Sequence, residues 1–208
     1  MTKTARGLTA LGMLLCLSVV ASRAGDDKGE MVENPLFKFW SNFKPGATST
    51  YTQETKYHEA EKATFPGGVD KKTINYRLVS ADGDRAVVRT VVVEEDFLST
   101  VESAPTRVTY PAKVKKANLE GFFQEWSVKE SGEETIKVGD KEIKCKVRSG
   151  TGKSEGATVE FKICYSDAVP GGIVRRVRVT KDGDKVVAET TTTLVSFGES
   201  KVGKGERE

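Results

Sequence analysis

Apolar residues follow three rhythms along this chain, and each rhythm predicts a different element. Leu8 to Val20 is a mostly apolar run of thirteen residues. Leu36, Phe39, Trp40 and Phe43 recur at the spacing of one helix face. Asn34-Pro35 before them pairs an N-cap residue with proline at the first helical position, and Lys44-Pro45-Gly46 ends the segment. After Gly46 the period drops to two. Thr48–Lys62, Lys72–Ser80, Arg85–Phe97 and Arg107–Tyr110 read as strands. So do Thr135–Val138, Lys141–Arg148, Ala157–Tyr165, Val174–Thr180 and Lys185–Phe197. Leu119 to Trp126 reads as a helical turn weakened by Gly121.

These segments predict a mainly β protein. About nine strands would form a strongly curved antiparallel sheet, an open or partial barrel, with one aromatic helix packed on it; a β-sandwich is the alternative. The turns agree. Ala81-Asp82-Gly83-Asp84 and Lys181-Asp182-Gly183-Asp184 both suit hairpins, with the glycine supplying positive φ. Their likeness admits an internal duplication, or simply the ordinary preference of tight turns for Asp and Gly.

The first apolar run changes the picture most. Lys3 and Arg6 precede it, and Ser22-Arg23-Ala24 follows with small side chains at the two positions a signal peptidase reads. The run is shorter than the roughly 20 residues a spanning helix needs. Residues 1–24 therefore read as a signal peptide cleaved near Ala24, with a mature chain in the periplasm or outside the cell. Cys16 lies inside the run and follows Leu15, which argues against a lipid anchor. Residues 25–33 read as a polar leader, 34–197 as one domain, and 198–208 as a disordered tail whose only apolar residue is Val202.

Charge narrows the partners. The chain has 33 Lys+Arg and 30 Asp+Glu. Lys3, Arg6 and Arg23 lie in the leader, which holds no acid, so residues 25–208 carry 30 groups of each sign. A neutral, interspersed surface excludes a nucleic-acid footprint, and no further apolar run predicts membrane insertion of the mature chain.

Little catalytic chemistry is visible. His58 is the single histidine, on a charged strand beside Lys56 and Glu59, and reads as a solvated side chain. Zinc sites built on several His and Cys are excluded by count, and no cofactor is expected. Gly150-Thr151-Gly152-Lys153-Ser154 imitates the end of a phosphate loop, but Val147 stands where the first glycine belongs and a strand follows; it reads as a hairpin loop. Asp82, Asp84, Asp182 and Asp184 read as turn residues rather than calcium ligands. Strand carboxylates such as Glu94, Glu95 and Asp96 leave a glycosidase-type pair open.

Cys145 and Cys164 are the remaining constellation, predicted as a structural disulfide in an oxidising compartment. Strand parity opposes it: Cys145 falls among Ile143 and Val147, while Cys164 falls with Glu160 and Lys162 on the polar side. The alternative is a buried Cys145 with a free, exposed Cys164.

Several motifs resemble a group of secreted proteins of planctomycete-type bacteria that has no assigned function. They are Asn34-Pro35-Leu36 to Trp40 with Phe43-Lys44-Pro45-Gly46, and Tyr110-Pro111-Ala112-Lys113. Further on come Gly132-Glu133-Glu134 to Lys141 with Cys145, and Tyr165-Ser166-Asp167 to Val169-Pro170-Gly171-Gly172. The resemblance transfers no catalytic role; it implies that Pro170-Gly171-Gly172 is a turn entering the final hairpin. The predicted shape is similar at fold level to periplasmic lipoprotein carriers, which hold acyl chains in a concave apolar face. Three functions follow as expectations. The first is an exported, non-catalytic binding or carrier protein for an apolar small molecule or lipidated protein, with Trp40, Phe43, Phe122 and Trp126 as contacts. The second is an envelope structural or interaction protein with a fully packed core, and the third a carboxylate-dependent hydrolase.

Overall fold

A computed structural model of the chain describes residues 29–58, 68–95, 99–116, 127–154 and 156–199. The signal peptide, Phe122, Trp126 and the helical turn expected at Leu119–Trp126 lie outside them. The described chain is mainly β. In order it runs β1 (Met31–Glu33), α1 (Pro35–Ser41), β2 (Ala47–Tyr57), β3 (Val69–Ala81), β4 (Arg85–Glu95), β5 (Thr100–Glu102) and β6 (Thr106–Pro111). There follow β7 (Lys113–Lys115), β8 (Ser127–Val138), β9 (Lys141–Ser154), β10 (Ala157–Tyr165), β11 (Ile173–Asp182) and β12 (Lys185–Glu199).

All pairings are antiparallel. Strands β1 and β7 form a separate ribbon, and the others form one sheet of ten in the order β5-β4-β3-β2-β12-β11-β10-β9-β8, with β6 also on β4. β5 and β8 are edges, so the curved sheet is open. Within it the β8–β9 hairpin brings Val138, Ile143, Cys145 and Val147 into one core cluster with Tyr51, Ile74 and Leu194.

Among the described residues there are twelve strands, the nine expected and three short additional ones. Strands β1, β5 and β7 have three residues each, too few to display an alternation in sequence. β1 also corrects the leader, because Met31–Glu33 is strand, and β12 runs two residues past Phe197 into the segment expected to be a tail. A further correction concerns Gly150–Ser154, which is strand and not loop. Gly150 faces Phe161 across β9–β10, and a Cβ there would lie 2.7 Å from the ring. The glycine answers a close approach, not a phosphate.

The two Asp-Gly-Asp turns differ. Gly183 takes φ of +58°, as a tight hairpin asks, whereas Gly83 has no left-handed φ. There the Asp82 carboxylate closes the turn, accepting from the Asp84 and Arg85 N–H groups at 2.9 Å each.

Helix α1 is short and would not persist alone. Asn34 ties it down: its Oδ1 accepts from Leu36 N at 3.0 Å, its Nδ2 donates to the Pro111 carbonyl at 2.9 Å, and its N–H to that of Ala112 at 2.9 Å. One face of the helix then buries Trp40, 4% exposed, against Ala47, Leu78, Ala86 and Val88, with Phe37, Phe43 and Tyr110 at the margin. Its other contact is the β10–β11 connection, where the Gly171 N–H donates to the Phe39 carbonyl at 3.3 Å.

Candidate functional site

The side of the sheet that receives α1 is the inner face, and register extends it across the molecule. Ile74 stands opposite Val92 and Tyr51, and Tyr51 opposite Leu194. Two residues back along β12, Thr192 stands opposite Arg176 and Thr190 opposite Arg178. Arg176 in turn faces Ile163, and Arg178 faces Phe161. Alternation places these side chains on one surface. Near the helix the surface is aromatic: the Trp40 ring centroid is 6.3 Å from Tyr76, and Tyr76 is 5.6 Å from Tyr51 in an edge-on contact. Tyr51 is buried, which raises its phenol pKa, and its OH donates to the Ile173 carbonyl at 2.9 Å.

Further along, the same face is polar and under-satisfied. Burial of the Arg176 guanidinium lowers its pKa; the phenol oxygens of Tyr76 and Tyr51 support the charge while Arg178 opposes it. Among the described residues neither arginine makes a salt bridge. Arg178 Nε and Thr192 Oγ1 are buried with no hydrogen-bond partner, a condition that costs about 1–3 kcal/mol for each such group. Asp70, the carboxylate that register puts on this face of β3, accepts a hydrogen bond from Tyr57.

The reverse side of the sheet carries a shallow groove of about 330 Å³, lined by residues such as Thr52, Glu54, Lys71, Thr73, Glu95 and Thr191. It is polar. The apolar concavity expected for an acyl ligand is not this groove.

The predicted contact residues separate. Trp40 is enclosed in the core and presents no wall to a ligand; Phe43 is half-buried at the edge of the same cluster. Phe122 and Trp126 are outside the described residues. His58 is exposed at the end of β2, its Nε2 3.1 Å from Glu189 Oε1, as a solvated side chain would be.

The cysteines correct the parity argument and the expected bridge. Cys145 and Cys164 are both buried and both free. Cys164 stands opposite Val147, so it shares the buried row of Val147 and Cys145 and is not on an exposed polar side. That register makes the cysteines diagonal neighbours, whose Cβ atoms lie at roughly 7 Å. A disulfide spans about 3.5–4.5 Å between Cβ atoms. Burial, with the Glu134 carboxylate 3.5 Å from its sulfur, pushes the Cys164 thiol up to about 11. Lys162 pairs with the same carboxylate and, with the Cys164 thiol, holds the Glu134 pKa down.

Other chemistry is sparse. Asp82, Glu130 and Glu134 are the described carboxyls with shifted pKa values, and all three move downward. Among the described residues no group of three or more His, Cys, Asp or Glu is placed to hold a metal ion, and no helix is long and apolar enough to cross a membrane.

No protein-family model and no curated protein matches this sequence. Two solved structures are similar. A crystal structure of MucB in complex with MucA(peri) is 10% identical, at a TM-score of 0.42, over 83% of this chain and 57% of that one. The chain thus spans little more than half the length of that MucB. A protein with a YmcC-like fold from Bacteroides fragilis is 10% identical, at a TM-score of 0.40, over 77% of this chain and 98% of that one.

Arg176 and Arg178 were missed by the sequence reading. Neither was singled out in the strand expected at Val174–Thr180. The overlooked signal was parity with Val174, which is fully buried.

Proposed function

We propose that this protein is an exported, non-catalytic binding protein that takes an apolar ligand or a lipidated partner on the inner face of its curved sheet. The observation that carries the reading is the division of that face. Helix α1 fills one part with Trp40 against Leu78, Ala86 and Val88, while Arg178 Nε and Thr192 Oγ1 on β11 and β12, and Ser49 Oγ on β2, are buried without hydrogen-bond partners. Native folds pair more than about 90% of buried polar groups. A cluster of exceptions on one face is therefore a place where something else completes the structure.

The absence of catalysis is part of the proposal. A general acid or base at neutral pH needs a raised carboxyl pKa, and the shifted carboxyls here are held down by cations, N–H donors or hydroxyl and thiol groups. Export rests on the run Leu8–Val20 and the small residues before Gly25. A second reading, an envelope interaction protein with a fully packed core, draws on the enclosure of Trp40.

Mass spectrometry of small molecules extracted from protein purified out of its native compartment tests the proposal. A recurrent amphiphile or acylated peptide at near-stoichiometric amount is the expected result. Clean protein, together with no thermal shift from any acyl ligand, favours the packed-core reading.

A further inference from the structure

Two arginines spaced i and i+2 on one face of β11 lie about 6.7 Å apart along the strand, since each residue rises about 3.3–3.4 Å. Arg176 lies within electrostatic reach of Arg178, Tyr76 and Tyr51, and Thr192 and Thr190 stand opposite the two arginines on β12. A cation placed there without a carboxylate partner is unfavourable in the empty protein. Arg178 Nε adds a buried donor without a partner, and Thr192 Oγ1 adds a hydroxyl able to donate. On the β10 side the pair is flanked by Ile163 and Phe161, and on the helix side by Tyr51 and Tyr76. Cationic donors on one wall and apolar surface on the two flanking ones define what fits.

We propose that Arg176 and Arg178, with Thr192, form the subsite for the anionic group of the ligand, a carboxylate or phosphate carried on an apolar chain. This rests on the binding function proposed above and specifies the chemistry of its ligand. An oxyanion accepts from planar guanidinium forks in charge-assisted hydrogen bonds, the strongest neutral-pH contacts available here. It also supplies the counter-charge that the fold does not bring to the pair: Asp70 lies three strands from Arg178, across Thr55 and Thr190, and Glu130 is engaged by Arg148 at 2.8 Å and Tyr165 at 3.1 Å.

Titration calorimetry on the mature protein, below the critical micelle concentration, separates the possibilities with three probes: dodecyl phosphate, dodecanol and inorganic phosphate. Dodecyl phosphate is expected to bind at least about tenfold tighter than dodecanol, a gap worth one charge-assisted contact. Arg178→Gln and Arg176→Gln should close that gap, while Arg175→Gln, which changes the exposed neighbour on the opposite face, should leave it. Arg178→Lys should keep part of it. Melting curves of each variant establish that it is folded, and dodecyl phosphate should raise the melting temperature of the wild type more than that of either Gln variant.

Equal binding of alcohol and phosphate ester would overturn the anionic subsite and leave the binding function standing. No binding by either amphiphile overturns both. Inorganic phosphate binding as tightly as the dodecyl ester keeps the arginine site but assigns it to a free anion.

Discussion

The two ends of the inner sheet face use opposite strategies for the same problem, covering one side of a strongly curved sheet. At the β3–β4–β6 end the chain covers itself. A seven-residue helix carries Trp40 into the space above Leu78, Ala86 and Val88, and Asn34 fastens it to the end of β6. At the β11–β12 end Arg176, Arg178 and Thr192 occupy the corresponding positions, and Arg178 Nε and Thr192 Oγ1 are buried without a hydrogen-bond partner. The first end is filled by apolar side chains of the chain itself. The second leaves buried donors unpaired, at a cost in stability that the proposed ligand would offset.

Substitutions should expose the contrast. Trp40→Ala removes the largest ring from the covered end and is expected to cost about 3–5 kcal/mol in denaturant unfolding. A loss below about 1 kcal/mol would mean that the helix is not part of the core. Gly172→Ala acts on the same end from the loop side. Gly172 has φ of +76°, and an added Cβ would lie 2.5 Å from the Phe39 ring, so a loss of about 1–3 kcal/mol is expected.

Arg176→Met should go the other way. Replacing a buried cation that has no carboxylate partner by an apolar side chain of similar length is expected to raise stability by about 1–2 kcal/mol in the ligand-free protein. If stability falls instead, the guanidinium is satisfied by contacts within the chain and the two ends are alike.

The thiols make the smallest difference at neutral pH. A raised thiol pKa means that the folded state favours the neutral form. The associated stability is fully present below the unfolded thiol pKa, near 8.5, and is lost as pH rises towards about 11. At pH 8 the native protein should therefore resist alkylation at Cys164, and after unfolding two thiols should react. No reactive thiol after unfolding without reductant would establish the disulfide.

Much of the fold was legible because period two is a direct consequence of the pleat. Strands β2, β3, β4, β10, β11 and β12 were all visible as alternations, and α1 as an N-cap, a proline and four spaced apolar residues. The failures share a cause. Three-residue strands are too short to alternate, and pairing alone defines them. Parity put Cys164 on the side of Lys162, where both reach Glu134, but that row is covered at its Cys164 end beside Val147 and Cys145, which alternation alone does not reveal. The likeness of the two Asp-Gly-Asp turns also misled, since Asp82 closes one with its side chain and Gly183 the other with its backbone.

What the chain order of residues determined by itself was the class of the protein: an apolar leader fit for export, a helix start, and strands that must pair because each has one side to hide. Which sides meet was a tertiary decision. Whether an arginine in a valine-rich strand looks out to water or in towards two tyrosines depends on strand register and on bulges. Those are set by the packing of the whole sheet, through contacts between residues more than a hundred positions apart such as Tyr51 and Ile173.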